Sequence, residues 1–434
     1  MASAPTRELL MTAVLEPAIE LVDPAEVGLS ADRLARIPAF LQERYLDAGR
    51  LPGFTLVVHR AGRTAHLSSQ GMADVASGRP VSHDTIVRIY SMTKPITSVA
   101  IMSLYEQGLF QLDDPVSRFL PSWRDLRVWA DGTPSRFTTN LPEREMKIRD
   151  LLTHTAGLTY GFMARHPVDA LYRHRGVSSP QSTIEELCDQ LAEIPLLFSP
   201  GTRWNYSVAT DVLGRLVEVI SGQPFDQFLQ ERIFDPLGMV DTGFFVREGQ
   251  AHRLATNYAL PSLSPFPLPE GVSGDEMLAI DGGPSSTFLQ RPTFLGGGGG
   301  LVSTASDYLR FCRMLLQGGR LDGAQVLGRK TVEHMTRNQL PTGGDLVTMG
   351  QAVFSETSYE GIGFGLGFSV MLDPARANVS GSVGEYSWGG AASTLFWIDP
   401  VEELIVIGLT QLMPSSAYPI RRELRSLVYS AIVD

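Results

Sequence analysis

The sequence predicts an α+β fold: a central, mostly antiparallel sheet flanked by helices, with a helical lobe inserted between its strands. Strand patterns occur near both ends of the chain, and amphipathic helix patterns fill its middle. Strands at both ends imply that they meet in one sheet, which an antiparallel arrangement allows. We expect a single domain over residues 1–434, with a sheet lobe formed roughly by 25–90 and 345–434 and a helical lobe formed roughly by 91–344. The cleft between two such lobes is a natural ligand site.

The first predicted elements are a helix and a hairpin. Ser30 is a typical helix N-cap, and apolar residues continue at helical spacing to about Leu46. The segments "FTLVVHR" and "TAHLSSQG", joined by the glycine-containing turn "AGR", predict two paired strands.

The middle and the C-terminal part differ in their periodicity. "TIEELCDQLAEI" and "DYLRFCRMLLQG" place apolar residues at i, i+3, i+4 and i+7, which predicts helices. Strand patterns return in "FGLGFSVML", "STLFWID" and "LIVIGLTQL". A last amphipathic helix is predicted from about Tyr418 to Val433.

Composition excludes several classes of protein. A hydrophobic content of 43% and a charged content of 19% are typical of a soluble globular protein. The net charge of −11 leaves no basic surface for nucleic acid. No apolar run approaches the ~20 residues of a membrane span. The N-terminal segment lacks a basic region and a small-residue cleavage site, so no secretory signal is predicted. Free thiols at Cys188 and Cys312 fit the cytoplasmic location that we expect.

One short stretch, "SMTK", has a spacing with chemical consequences. Ser91 and Lys94 are three residues apart and would share one face of a helix. Pro95 is tolerated only in the first turn of a helix, so it places the helix start close to Ser91. A serine there lies among free backbone N–H groups, and a neighbouring neutral lysine can take its proton. The pair therefore predicts a nucleophile and its base. The same spacing would also occur if Ser91 were an ordinary helix N-cap and Lys94 a solvent-exposed charge.

The longer segment from Ser91, "SMTKPITSVAIMSLYEQGLFQLDDPVSRFLP", resembles the active-site helix of serine hydrolases of the β-lactamase and penicillin-binding-protein superfamily. It is most similar to the family VIII carboxylesterases and their class C β-lactamase relatives. The stretches "IRDLLTHTAGL", "PGTRWNYS" and "GGGGGLVSTASDYLRF" resemble later landmarks of that family, in the same order. The resemblance implies a β-lactamase/transpeptidase-like fold and an enzyme that forms an acyl-enzyme on serine.

The resemblance also assigns a second catalytic group. The family carries a tyrosine in a Y-x-N-type motif, and Tyr206 in "NYSV" is the matching residue. A phenol beside Lys94 can share a proton with it and pass that proton from Ser91 to the leaving group.

The third family motif, K-T-G on a strand, is absent. Lys330 lies in "GRKTVEHMTR", which has helical periodicity. The better match is "YSWGGA", in which Trp388, Gly389 and Gly390 resemble a carboxylesterase variant of the motif. Glycines in a strand let its backbone approach a ligand closely.

These substitutions imply a substrate class and complete the predicted site. Trp388 stands where the K-T-G motif of β-lactamases has a lysine, so an apolar ring replaces a cation. Val208 stands where lactamases have an asparagine that holds an amide side chain. Both differences lead us to expect uncharged esters with apolar acyl groups as substrates. By resemblance, the amides of Ser91 and Ala391 form an oxyanion hole. Trp388, Gly389 and Gly390 line the substrate pocket, and Trp204 is expected to join them.

The predicted function is therefore a serine carboxylesterase that acts on short- to medium-chain carboxylic esters. Its partner is a small-molecule ester, and no metal, organic cofactor, nucleic acid or membrane is expected. The sequence leaves open a β-lactamase or D-amino-acid peptidase, an acyltransferase of the same fold, and a sensor protein that is acylated once without turnover. It also leaves open a monomer or a homodimer. His154 is expected to be structural, and the glycine run at 296–300 a tight loop near the active site.

Overall fold

A computed structural model describes residues 19–263, 274–350 and 359–434. Its strands, in chain order, are β1 Gly53–Arg60, β2 Arg63–Asp74, β3 Arg79–Pro80, β4 Val87–Arg88, β5 Val128–Thr133, β6 Arg136–Asn140, β7 Asn257–Ala259, β8 Leu278–Asp281, β9 Val302–Ser303, β10 Arg320–Leu321, β11 Ala324–Gln325, β12 Ile362–Phe364, β13 Ser369–Met371, β14 Tyr386–Gly389, β15 Leu395–Asp399, β16 Leu404–Leu409 and β17 Leu412–Met413.

The α-helices, again in chain order, are α1 Ala31–Leu34, α2 Arg36–Leu41, α3 Thr93–Glu106, α4 Ile148–Leu152, α5 Pro167–His174, α6 Ile184–Ala192, α7 Ala209–Ser221, α8 Phe225–Leu229, α9 Asp235–Leu237, α10 Ala305–Leu316, α11 Arg329–Met335, α12 Leu346–Met349, α13 Pro374–Ala377 and α14 Ile420–Tyr429. No helix in the part of the chain that the structure describes is long and apolar enough to cross a membrane.

The main sheet has eight strands in the order β12-β13-β14-β15-β16-β1-β2-β3. All of its neighbouring strands are antiparallel. Strand β1, from the N-terminal part, pairs with β16, from the C-terminal part, and Val57 lies opposite Ile407. The prediction that both ends of the chain meet in one antiparallel sheet is therefore confirmed. The division into a sheet lobe and a helical lobe at the predicted boundaries stays a prediction.

Helices cover both faces of this sheet. Successive side chains of a strand point to opposite faces, so each strand contributes residues to a core on either side. In β1, Val57 belongs to the large core that includes the residues of α3 and α7, whereas Leu56 and Val58 belong to a second core. Leu424 of α14 lies in that second core. The sheet is thus buried on both sides, and α3 lies within the larger core.

Three sequence-based boundaries need correction or comment. The segment "FGLGFSVML" was expected to be one strand, but it contains the last residue of β12, a turn and then β13. Gly367 in that turn has a φ of +98°, and a Cβ there would lie 2.2 Å from Ser98 Oγ of α3. The chain therefore turns at a glycine where it meets the helix. The C-terminal helix is shorter than predicted, ending at Tyr429. Residues 1–18, which carry most of the segment judged to lack a secretory signal, lie outside the described residues.

A buried ion pair attaches α14 to the sheet. Arg425 donates to both carboxylate oxygens of Glu385, at 2.6 and 2.5 Å, and Tyr429 Oη donates to the same carboxylate at 2.7 Å. The side chain of Glu385 is only 1% exposed. Removing one member of such a pair leaves an uncompensated charge in the interior.

We therefore expect Arg425→Met to lower the free energy of unfolding by about 3 kcal/mol. Urea denaturation followed by tryptophan fluorescence measures the change. Arg329→Met is the matched control, since Arg329 is 66% exposed and pairs with Glu333 within one helix; its urea midpoint should stay close to that of the wild type. If the urea midpoint of Arg425→Met were as close to that of the wild type as the midpoint of Arg329→Met, the buried pair would contribute nothing to stability.

Candidate active site

The site is built around the start of α3. A short 3-10 turn, Tyr90–Met92, leads directly into the helix, and Pro95 lies in its first turn. The residues from Thr93 to Leu104 are all buried, so α3 is a core helix that is covered on every side. Tyr90 has a φ of +43°, an uncommon conformation for a residue other than glycine. Its hydroxyl accepts a hydrogen bond of 2.8 Å from Asn257 Nδ2, which holds the turn in place.

Ser91, Lys94 and Tyr206 meet in this turn. Tyr206 Oη donates to Ser91 Oγ at 2.6 Å, and Lys94 Nζ donates to the same oxygen at 3.2 Å. Lys94 is only 2% exposed, and its Nζ lies 4.6 Å from the centre of the Tyr206 ring. The structure thus brings together the three residues predicted to be catalytic, although 115 positions of the chain separate Ser91 from Tyr206.

The segment at 153–159 holds Tyr206 in position. The N–H of Asn205 donates to the carbonyl oxygen of His154 at 2.9 Å, and Asn205 Nδ2 donates to the carbonyl oxygen of Leu158 at 2.8 Å. The imidazole of His154 lies 5.0 Å from the Tyr206 ring and hydrogen-bonds Ser207 Oγ through Nδ1. Burial, with a smaller contribution from Lys94, lowers the pKa of His154 well below its ordinary value. A neutral imidazole therefore supports the phenol by contact.

Strand β14 brings the predicted "WGG" residues alongside the turn. The Trp388 ring lies 5.5 Å from that of Tyr206 and packs edge-on against Phe364 at 5.3 Å. A Cβ at Gly390 would lie 2.5 Å from the carbonyl oxygen of Ile89, and one at Gly389 would lie 2.9 Å from that of Thr394. A glycine at 390 therefore allows the strand end to approach the backbone that precedes Ser91, and the glycine at 389 allows close contact with Thr394 in the neighbouring hairpin.

The predicted oxyanion-hole residue Ala391 follows directly. Ala391 and Tyr90 both pack against the small apolar cluster formed by Ala259, Ala392 and Met413. Within the described part of the chain, the N–H of Ala391 has no hydrogen-bond acceptor, so it is free to donate to a ligand.

Trp204 does not lie where it was expected. Its side chain is 1% exposed and packs behind Tyr206, with ring centres 6.4 Å apart, and against Phe364 at 5.8 Å. It supports the phenol from within the core and forms no accessible wall of the pocket. Val208, also only 1% exposed, immediately precedes α7 and is likewise not on the cleft surface.

Sequence reasoning missed an aromatic residue beside the predicted lysine. The ring of Tyr160 lies 5.6 Å from Lys94 Nζ and 5.4 Å from the Tyr206 ring, and it stacks on Phe162 at 4.8 Å. Burial raises the pKa of Tyr160 well above its ordinary value, so the phenol is neutral. The signal that could have identified it is its position two residues after the landmark "THTAGL".

The glycine run lies against α3. Lys94 Nζ donates to the carbonyl oxygen of Gly298 at 2.5 Å, and Thr97 Oγ1 donates to that of Gly297 at 2.8 Å. On the other side, the N–H of Gly298 donates to Asp211 Oδ1 at 2.8 Å. The glycine run is thus held tightly between α3 and α7, beside the predicted catalytic lysine.

Metal-binding side chains do not cluster near this site. Within residues 19–263, 274–350 and 359–434, no group of three or more His, Cys, Asp and Glu side chains is placed to hold a metal ion.

The chain belongs to the beta-lactamase family, whose sequence model matches residues 40–429. It is 37% identical to protein Rv1367c of Mycobacterium tuberculosis, over 85% of this chain and 88% of that protein. It is 33% identical to the esterase EstB of Burkholderia gladioli, over 94% of this chain and 98% of EstB.

A solved structure gives the same result for the fold. EstCE1, described as a hydrolase with promiscuous acyltransferase activity, matches with a TM-score of 0.74 and 29% identity, over 92% of this chain and 99% of EstCE1. The β-lactamase/transpeptidase-like fold and the resemblance to esterases of that fold are therefore confirmed.

Proposed function

We propose that the protein is a serine carboxylesterase that hydrolyses short- to medium-chain carboxylic esters through an acyl-enzyme on Ser91. One observation carries the proposal: at a buried helix start, Ser91 Oγ accepts hydrogen bonds from both Tyr206 Oη at 2.6 Å and Lys94 Nζ at 3.2 Å. A hydroxyl with two proton-transfer groups in contact is the arrangement that nucleophilic catalysis by serine needs. Similarity to EstB and EstCE1 supports the choice of esters as substrates.

The reaction follows from these contacts. Ser91 Oγ attacks the ester carbonyl, and its proton passes to the Lys94–Tyr206 pair. The pair can accept this proton because, in the active form, one of its two groups is already deprotonated. The backbone N–H groups of Ser91 and Ala391 stabilise the oxyanion of the tetrahedral intermediate. When the intermediate collapses, the C–O bond to the alcohol breaks and the pair returns the proton to that alcohol. A water molecule then attacks the acyl-enzyme with the pair again taking a proton, and the acid leaves as Ser91 regains its hydrogen.

Apolar, uncharged esters suit the surroundings of Ser91. Trp388 occupies the strand position at which β-lactamases carry a lysine, and its ring lies beside Tyr206 with Phe364 behind it. Tyr160 and Phe162 add a stacked pair of rings next to Lys94. Aromatic rings at these positions favour apolar acyl groups over carboxylate-bearing lactams or peptides.

An acyltransferase is the second candidate, and the observation that favours it is the similarity to EstCE1, whose description names both activities. The two functions differ only in whether water or another alcohol takes the acyl group. A β-lactamase or D-amino-acid peptidase is disfavoured by Trp388, and a sensor would be acylated without turnover.

Two unpaired, buried cysteines support a cytoplasmic location, which we keep as part of the proposal.

The test measures turnover of p-nitrophenyl acetate, butyrate and octanoate, with a chromogenic cephalosporin alongside and a short alcohol as added acyl acceptor. We expect many turnovers on the esters, weak turnover of the cephalosporin, and an acyl adduct on the Ser91 peptide by mass spectrometry. Fast cephalosporin hydrolysis would support the β-lactamase instead. A single stoichiometric burst would indicate the sensor, and ester formation exceeding hydrolysis would indicate the acyltransferase.

Replacing Tyr206 by phenylalanine should separate proton transfer from packing. The ring contacts with Trp388 and His154 remain, but the hydroxyl that donates to Ser91 is lost. We expect kcat on p-nitrophenyl butyrate to fall by about 10²- to 10³-fold with little change in KM.

The matched control is Tyr45→Phe. Tyr45 is a buried tyrosine of the second core whose hydroxyl donates to Glu423, and it lies in a different hydrophobic cluster from Tyr206. Its kcat should stay near that of the wild type. If Tyr206→Phe also kept wild-type kcat, Tyr206 would have no part in proton transfer.

A further inference from the structure

We infer that Asp211 is a positioning residue that acts on Lys94 through Gly298: it holds the glycine loop in place and puts a buried carboxylate near the proposed base. The inference rests on the proposed function, since it concerns the base of that reaction.

The geometry links the two side chains through a single residue. Gly298 is hydrogen-bonded at both ends: its N–H donates to Asp211 Oδ1 at 2.8 Å, and its carbonyl oxygen accepts from Lys94 Nζ at 2.5 Å. Asp211 lies in the first turn of α7, and Lys94 lies in the first turn of α3. The loop is thus held between the starts of two helices, with an acid on one side and a base on the other.

Close contact explains why this segment is glycine. A Cβ at Gly298 would lie 2.7 Å from Asp211 Oδ2, and a Cβ at Gly297 would lie 2.6 Å from the carbonyl oxygen of Thr210. Any larger residue would push the loop away from α7 and move the carbonyl oxygen that Lys94 contacts. Gly297, Gly298 and Asp211 together therefore determine where Lys94 Nζ lies.

Charge gives Asp211 a role beyond anchoring. Asp211 is 4% exposed and Lys94 is 2% exposed, so water screens their interaction poorly. Burial raises the pKa of the Asp211 carboxyl, while the charge of Lys94 and the N–H of Gly298 act in the opposite direction. A carboxylate in the first turn of a helix is also favoured by the helix dipole.

A purely structural role is the simpler alternative, because acidic residues are common in the first turn of a helix. Such residues usually remain in solvent. Asp211 instead points into the core at a loop N–H, and Lys94 interacts electrostatically with it. An anchor alone would need an acceptor but no charge, so the two roles can be separated by experiment.

The other titratable groups around the pair are neutral or engaged elsewhere. On the Lys94 side these are Tyr206, Tyr160 and His154; the pKa of Tyr160 is raised and that of His154 is lowered, so neither carries charge near neutral pH. On the Asp211 side, burial raises the pKa of the Cys188 thiol, which is therefore neutral.

The sign of the expected effect follows from the charge. A nearby carboxylate favours the protonated form of a basic group, so removing its charge should favour the deprotonated form of the Lys94–Tyr206 pair. The active form needs this pair deprotonated once, so the acid limb of kcat/KM should move to lower pH. Asparagine keeps an oxygen that can accept from Gly298 N–H, whereas alanine keeps neither the oxygen nor the charge.

The experiment records kcat/KM for p-nitrophenyl butyrate against pH for the wild type, Asp211→Asn, Asp211→Ala and Asp307→Asn. We expect Asp211→Asn to move the acid limb down by about one pH unit, and Asp211→Ala to lose about 100-fold in kcat/KM at the optimum as well. Asp307→Asn is the matched control: its carboxylate is also buried, but it accepts from Thr242 Oγ1 at 2.8 Å and from the N–H of Asp241 at 2.7 Å. Its acid limb should coincide with that of the wild type.

Two failures can be told apart. If wild-type turnover does not depend on Ser91, the proposed function itself is wrong. If it does depend on Ser91 and the acid limb of Asp211→Asn coincides with that of the wild type, the inference is overturned and Asp211 is only an anchor. A shift of the same size in Asp307→Asn would also overturn it, because any buried carboxylate would then have the effect.

Discussion

Ser91→Ala is expected to lower kcat/KM for p-nitrophenyl butyrate by about 10⁴-fold or more. The substitution removes the oxygen that we propose is acylated, and with it the acceptor of the hydrogen bonds from Tyr206 and Lys94. The backbone donors of the proposed oxyanion hole remain, so a small residual rate over water is compatible with the mechanism. Steady-state kinetics and the loss of the acyl adduct in mass spectrometry measure the effect together.

Ser103→Ala is the control on the same helix. Ser103 is also buried, and its hydroxyl donates only to the carbonyl oxygen of Ala100, one turn earlier. This variant should keep wild-type kinetics. Ester turnover that survived in Ser91→Ala would mean that another group is the nucleophile, and the mechanism would have to be abandoned.

Lys94→Met is expected to lower kcat by about 10³-fold. Methionine fills a similar volume in the core, but it can neither accept the proton of Ser91 nor donate to the carbonyl oxygen of Gly298. KM should change less than kcat, because the lysine acts on the proton of Ser91 and not on the body of the substrate.

Lys330→Met is the matched control, because it removes the same cation from a side chain that is 76% exposed. Its kcat should be that of the wild type, and circular dichroism should show that both variants are folded. If Lys94→Met were folded and retained more than about a tenth of the wild-type kcat, Lys94 would not be the base.

The sequence predicted the parts of the site that are local. Ser91, Lys94 and Pro95 lie within one turn of helix, so spacing alone could place the serine and the lysine together. Several strands of the main sheet, among them β1, β15 and β16, could be predicted for the same reason, because their patterns are local. The break between β12 and β13 was missed, since it depends on the contact of Gly367 with Ser98, far away in the chain.

Parts that depend on distant contacts needed the resemblance or were missed. Nothing local separates Tyr206, which reaches Ser91, from Trp204 two residues earlier, which packs behind it. Periodicity does not tell which side of a loop faces the cleft. Asp211 and Gly298 are 87 positions apart, and neither forms part of the "SMTK" motif that contains Ser91.

The assembly of the site from distant segments makes activity a probe of the complete tertiary structure. The contact between Lys94 and Gly298 joins positions 204 apart, and the contact between Ser91 and Tyr206 joins positions 115 apart. Contacts between segments so distant in sequence form only when the chain closes large loops. A refolding intermediate could thus have α3 in place and native-like circular dichroism while remaining inactive. Recovered ester turnover should follow the slowest spectroscopic phase of refolding.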